Sequence, residues 1–137
     1  MVETLEGLYN LKRKEVELTR VRSPSGKWLE LFGNPAKDGD FTIEVTFPEF
    51  TCLCPRTSQP DFATIFIKYI PDKYCVELKS LKYYLNSFRN EGHFHEEVTN
   101  LIYGDLEQVL TPKSLYVEGR FNVRGGTHPV IKVGKDW

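Results

Sequence analysis

The chain is predicted to be an α+β domain, and two observations predict it. Apolar and polar residues alternate with period two in segments on both sides of residues 77–110, and between them the period lengthens to that of a helix. A chain of 137 residues with 40% apolar content fits one compact unit rather than two. The expected division is an irregular N-terminal segment, 1–40, packed on a single domain, 41–137.

Within 1–40, Arg22-Ser23-Pro24-Ser25-Gly26-Lys27 and Gly33-Asn34-Pro35-Ala36-Lys37-Asp38-Gly39-Asp40 read as turns. Phe41 to Phe47 alternates cleanly, which predicts a strand with one buried face that Pro48 ends or interrupts. Phe62 to Ile70 is β-branched and aromatic and predicts the antiparallel neighbour, closed by a turn at Pro71-Asp72-Lys73. Leu81, Tyr84, Leu85 and Phe88 then recur at helical spacing, with the helix ending near Asn90-Glu91-Gly92. A second helix is expected from Phe94-His95-Glu96-Glu97 to Thr111-Pro112, with Val98, Leu101, Ile102, Leu106 and Val109 on its apolar face. Its early glutamates suit the positive end of the helix dipole. Leu115 to Phe121 and Thr127 to Val133 predict two more strands around a Gly125-Gly126 turn. The result is an antiparallel sheet with two helices on one face, and its open edges invite pairing between subunits into a ring.

Composition excludes several function classes. The net charge of −1 gives no electrostatic footprint for nucleic acid or an anionic membrane. No apolar run approaches the roughly 20 residues of a spanning helix. Met1 to Gly7 is mixed and acidic, unlike an export signal, and the three cysteines are an odd number; both favour a cytoplasmic location with free thiols. Gly-x-Gly-x-x-Gly is absent, so any dinucleotide is bound by another route.

Three constellations carry possible chemistry. Cys54 and Asp61 lie on a loop stiffened by Pro55 and Pro60, so a thiol nucleophile and a proton donor are held close in sequence; a rigid turn around an inert thiol is the alternative. Cys52-x-Cys54 with His93-x-His95 has zinc-ligand chemistry, but Cys52 and Cys54 are expected to face apart, which leaves only one for a shared metal. Phe94-His95-Glu96 places a carboxylate able to accept two N–H bonds from a guanine-like edge beside an imidazole, or else is an ordinary acidic helix start. Lys79, Lys82, Arg120 and Arg124 are cations suited to phosphates. Arg124 is followed by Gly125-Gly126, where the backbone can approach a ligand closely.

Leu53-Cys54-Pro55-Arg56-Thr57-Ser58-Gln59-Pro60-Asp61-Phe62, Glu77-Leu78-Lys79-Ser80-Leu81-Lys82-Tyr83-Tyr84 and Phe94-His95-Glu96, in that order, resemble the single-module QueF family of NADPH-dependent 7-cyano-7-deazaguanine (preQ0) reductases. The resemblance runs from about residue 40 to the C-terminus. It implies the tunnelling fold, a ββααββ unit assembling into a β-barrel ring, commonly a decamer of two stacked pentamers with active sites between subunits. It also implies reduction of a nitrile to a primary amine with two NADPH, in queuosine (tRNA modification) biosynthesis. On that resemblance Cys54 is the nucleophile that forms a thioimide and Asp61 the proton donor. Val76, Glu77, Leu78, His95 and Glu96 bind the substrate. Lys79, Ser80, Lys82, Arg124 and Gly125 bind NADPH. No metal is implied. Some members carry a further cysteine after the His-Glu pair that protects the nucleophile as a disulfide; here Glu97-Val98-Thr99-Asn100 has none, and no such protection is expected. The competing readings are a zinc-dependent GTP or pterin cyclohydrolase of the same fold and a non-catalytic purine-binding protein.

Overall fold

The computed structural model describes residues 18–22, 28–36 and 38–137. In chain order the elements are β1 (Leu18–Arg22), β2 (Trp28–Gly33), β3 (Ile43–Leu53), β4 (Pro60–Ile70), β5 (Tyr74–Val76), α1 (Leu78–Asn86), a 3-10 turn (Ser87–Asn90), α2 (His95–Leu110), β6 (Ser114–Phe121) and β7 (Val130–Gly134). All strand pairs are antiparallel. One sheet has the order β3-β4-β6-β7 and a smaller one has the order β1-β2-β5.

The larger sheet and the two helices enclose the core. Ala63, Ile65, Ile67 and Tyr69 alternate on β4, and Leu115, Val117 and Phe121 on β6, and all are buried. Val98, Ile102, Leu106 and Leu110 of α2 and Leu81, Tyr84 and Leu85 of α1 close over them. Gly119 on β6 sets how closely α2 approaches the sheet. A Cβ there would stand 2.7 Å from Thr99 Oγ1 and 3.0 Å from the Phe121 ring. The Thr99 hydroxyl is itself tied to the carbonyl of His95 at 2.8 Å, so it is not free to turn away.

A bulge at Pro48 decides which face of β3 turns inward at its far end. Phe47 pairs with Ile65 and Phe50 with Ala63, so Pro48 and Glu49 together oppose Thr64. Proline has no N–H to give the ladder, and a bulge is one of the few places a sheet accepts it. Before the bulge the odd-numbered Ile43, Val45 and Phe47 pack toward the core; after it the even-numbered Phe50 and Cys52 are buried. The strand is interrupted at Pro48, not ended.

Two expectations need correction. The N-terminal segment is not irregular throughout: β1 and β2 form a hairpin, and β2 pairs with β5 through Leu31↔Val76 and Phe32↔Cys75. Leu29 and Leu31, alternating with Glu30, are buried. The local signal was present, but the partner strand β5 is three residues long and distant in sequence, so pairing rather than periodicity defines it. Residues 1–17, 23–27 and 37 of that segment lie outside the described residues. Cys52 and Cys54 do not face apart either. Residues two apart on a strand share a face, and both cysteines are buried.

Gly119→Ala should lower the unfolding free energy by about 1–3 kcal/mol, the usual cost of overpacking. Urea denaturation checks it; an unchanged midpoint would show that α2 is free to lift off the sheet.

Candidate active site

Four short segments meet in a cleft of about 180 Å³ lined by Cys54, Pro55, Asp61, His93, Phe94, His95, Glu96 and Arg124. Each is placed by backbone hydrogen bonds. The loop after β3 is closed by Cys54 N–H to Gln59 O and Ser58 N–H to Cys54 O, both 2.8 Å, with Ser58 at φ 60°. Asp61 sits at the start of β4, in register with Cys52. Residues 91–93 run beside the end of β3. The Leu53 amide donates to Glu91 O at 2.9 Å, and the His93 amide donates to Leu53 O at 3.0 Å. That pairing delivers the start of α2 to the Cys54 loop. Arg124 stands at the mouth of a two-residue turn. Gly125 and Gly126 have φ 63° and 81°, the left-handed pair that such a hairpin requires, and Arg124 and Thr127 exchange backbone bonds across it.

Asp61 is the hub. Only 5% exposed, its carboxylate forms an ion pair with Arg124 Nε at 3.0 Å and meets His95 Nε2 at 3.2 Å. The His95 ring stacks on Phe121, centroids 3.8 Å apart and planes within 9°, which fixes the direction of its Nε2 edge. Cys54 is held well below an ordinary thiol, at about 6. The Thr57 hydroxyl, then the Arg124 guanidinium, then the amides of Arg56 and Thr57 all favour its thiolate. Cys52, by contrast, is pushed up to about 12 by burial, by the Asp61 charge and by Cys54. Of these two neighbouring thiols, therefore, only Cys54 is a nucleophile at neutral pH. Glu96 is exposed on the cleft, and its carboxylate makes no ion pair or hydrogen bond among the described residues.

The cleft thus gathers Cys54, Asp61, His95, Glu96 and Arg124. It does not gather Val76, Glu77, Leu78, Lys79, Ser80 and Lys82, none of which lines it. Val76 is buried, with its N–H on the Tyr69 hydroxyl at 3.1 Å. The Glu77 carboxylate caps α1, accepting from the Lys79 and Ser80 amides at 2.9 and 2.7 Å. The Ser80 hydroxyl accepts from the Glu30 amide and donates to Glu77 O, so it pins α1 to β2. Lys79 and Lys82 are exposed, as is Leu78. Gly125 has open space where a Cβ would stand. Arg120 is committed to Glu118 on its own strand. Among the described residues no three His, Cys, Asp or Glu side chains converge as a metal site.

Sequence reasoning missed two contributors. Thr57 faces the thiol across its own loop, and its place in Cys54-Pro55-Arg56-Thr57 was the available signal. The contact of Arg124 with Asp61 joins residues 63 positions apart, one in the β6–β7 turn and the other at the start of β4, and no local pattern announces it.

Comparison with known proteins decides the lineage. The family model described as QueF-like protein matches residues 60–136. The chain belongs to the QueF-like family. The NADPH-dependent 7-cyano-7-deazaguanine reductase of Thermomicrobium roseum is 59% identical over 105 residues, 77% of this chain and 82% of that protein. The enzyme of the same name from Aquifex aeolicus is 52% identical over 125 residues, 91% and 92% of the two chains. A crystal structure of the archaeosine synthase QueF-Like in the apo form superposes with a TM-score of 0.60 at 16% identity, covering 72% of this chain and 94% of that one, a likeness of fold. Both reductase alignments are long, and this chain carries its cysteine, aspartate and His-Glu pair in one cleft.

A lowered thiol pKa means that the thiolate is present above about 6 and is lost as pH falls through that value. Alkylation of Cys54 by iodoacetamide should therefore be half-maximal near pH 6 rather than near 9. Arg124→Ala and Thr57→Val should each move the midpoint upward. A wild-type midpoint near 9 would show that the loop does not activate the thiol.

Proposed function

We propose that this chain reduces the nitrile of 7-cyano-7-deazaguanine to an aminomethyl group with NADPH, in the queuosine branch of tRNA modification. The observation that carries the reading is an activated thiol, a buried carboxylate and an unpaired glutamate converging on one cleft, together with long reductase alignments. A nitrile accepts hydride poorly until a nucleophile has added to carbon and a proton to nitrogen. Cys54 supplies the nucleophile: its sulfur bonds to the nitrile carbon as one C–N π bond opens. Asp61 relays a proton drawn from His95, 3.2 Å away, to the nitrile nitrogen, giving a thioimide. Arg124 stays charged throughout and stabilises both anions without donating a proton. Bound NADPH supplies the hydrides, two per nitrile, with the Cys54 thiolate departing between them. Glu96 accepts hydrogen bonds from the N–H edge of the base, beside His95.

The chain's residues fit such a cofactor. Arg124 is 41% exposed beside a turn with open backbone at Gly125, and Lys79 and Lys82 present exposed ammonium groups able to meet phosphates. In this reading Lys79, Lys82 and the segment Val76 to Leu78 serve the cleft of a neighbouring copy, with Ser80 fixing their helix from beneath. That arrangement requires a homo-oligomeric ring of ββααββ units with catalytic domain 41–137, and a decamer of stacked pentamers meets it. A cytoplasmic location follows from the reductant and the free thiols. Among the described residues no helix is long and apolar enough to cross a membrane.

Incubation with the nitrile alone should raise the protein mass by one substrate, and Cys54→Ala should abolish the adduct. Asp61→Asn should keep binding while turnover, followed by nicotinamide absorbance, falls by roughly 10²–10⁴. Glu96→Gln, which turns one acceptor into a donor facing N–H groups, should weaken base binding roughly ten- to hundred-fold. No NADPH oxidation by the wild type would reject the reading.

A further inference from the structure

His93 has no role in the chemistry above, yet it occupies the seam between the nucleophile loop and the helix that carries His95 and Glu96. Its Nε2 lies 2.9 Å from Glu91 Oε1. Its Nδ1, buried and without an aligned hydrogen bond among the described residues, lies 3.1 Å from Glu97 Oε1. The side chain is 15% exposed and packs edge-on against Phe88 at 5.7 Å. Glu91 belongs to the segment paired with the end of β3, whereas Glu97 is in the first turn of α2.

We propose that His93 is a positioning residue whose imidazolium clasps Glu91 to Glu97, locking the start of α2, and with it His95 and Glu96, against the Cys54 loop. A neutral imidazole has one N–H, so only the charged ring can direct a proton to both carboxylates. Deprotonation leaves one carboxylate without a donor and brings two like charges around an uncharged ring. Burial works against the charge, but contacts with Glu91 and Glu97 outweigh it and hold the ring's pKa above the ordinary value. The other titratable or charged groups around this seam are His95 and Glu96 on α2, Cys54 after β3, and Asp61 and Arg124 across the cleft. Tyr84 on α1 faces Glu91, and Arg89 on the 3-10 turn is exposed. The sign follows from the raised pKa: the clasp is complete below the ordinary imidazole range and is lost as pH rises through the raised value.

The role in base binding rests on the reductase reading; the clasp itself does not, and the test separates them. Full-length Cys54→Ala protein removes the thiol titration, and calorimetry then gives the Kd of 7-cyano-7-deazaguanine against pH. The Kd should rise roughly three-fold across the alkaline limb, the order of one partly exposed ion pair. Adding His93→Gln, which cannot titrate, should give the weaker Kd at every pH and remove that limb. In the otherwise unaltered protein, ¹⁵N NMR should find the His93 ring titrating above the ordinary imidazole value, with both ring nitrogens protonated below that midpoint. Exchange protection of the Leu53 and His93 amides, corrected for intrinsic rates, should fall as the ring deprotonates. A ring that titrates at or below the ordinary imidazole value, amide protection indifferent to its titration, or a His93→Gln variant with the parent's Kd and limb would overturn the proposal. Failure of the base to bind at all would count against the reductase reading, and the NMR and exchange data would still judge the clasp.

Discussion

The site depends on one buried carboxylate. Asp61 is 5% exposed, and an ionised carboxylate at that depth costs several kcal/mol unless charge and hydrogen bonds compensate it. Its two partners come from two other elements, Arg124 from the turn between β6 and β7 and His95 from the first residue of α2. Satisfying Asp61 therefore fixes three segments relative to one another. The same guanidinium also favours the Cys54 thiolate, so one permanent cation serves two acids with different tasks. Because a guanidinium keeps its protons, the arrangement separates stabilising charge from supplying protons. The latter is left to the Asp61–His95 pair.

The sheet arranges for Cys54 to reach that charge. With side chains alternating along a strand, one extra residue exchanges the faces. Pro48 and Glu49, two residues opposite the single Thr64, supply that one extra residue, and the bulge turns Phe50 and Cys52 inward where an unbroken strand would turn them outward. The same parity carries Cys54 to the buried side just beyond the strand's end. A second consequence is that Cys52 lies near the nucleophile. Burial leaves its thiol protonated and inert, so proximity in sequence does not make it a competitor.

Much of this was legible in the sequence because it is periodic or local. The β4 and β6 alternation and the Leu81, Tyr84, Leu85, Phe88 spacing each reflect a single face meeting a single core. The Pro55–Pro60 loop with its thiol and acid was also local, as was the acidic start of α2. What was illegible depends on partners far along the chain. β5 exists because β2 pairs with it, and β1–β2 becomes a sheet rather than irregular chain through that pairing. The orientation of Cys52 was misjudged because two residues along a strand return to the same face, and the bulge decides which face that is. Arg124 was legible as a cation on a glycine turn and not as the partner of Asp61, since that contact exists only once β4 and the β6–β7 turn are side by side.

The volume of the cleft bears on how many chains a complete site needs. About 180 Å³ is smaller than the roughly 300–1,000 Å³ of pockets that enclose drug-sized ligands. It is on the scale of a fused bicyclic base and too small to enclose a dinucleotide as well. On the reductase reading, the remaining wall would come from outside the cleft. Among the described cations that do not line it, Lys79 and Lys82 are exposed on α1 beside the solvent-facing Leu78 and Tyr83. Exposed apolar side chains interleaved with cations are poorly placed for solvent alone and well placed for an interface carrying phosphates. On the reductase reading, then, a ring would do more than cover sheet edges. Each copy would finish its neighbour's cleft with the helix that its own cleft does not use.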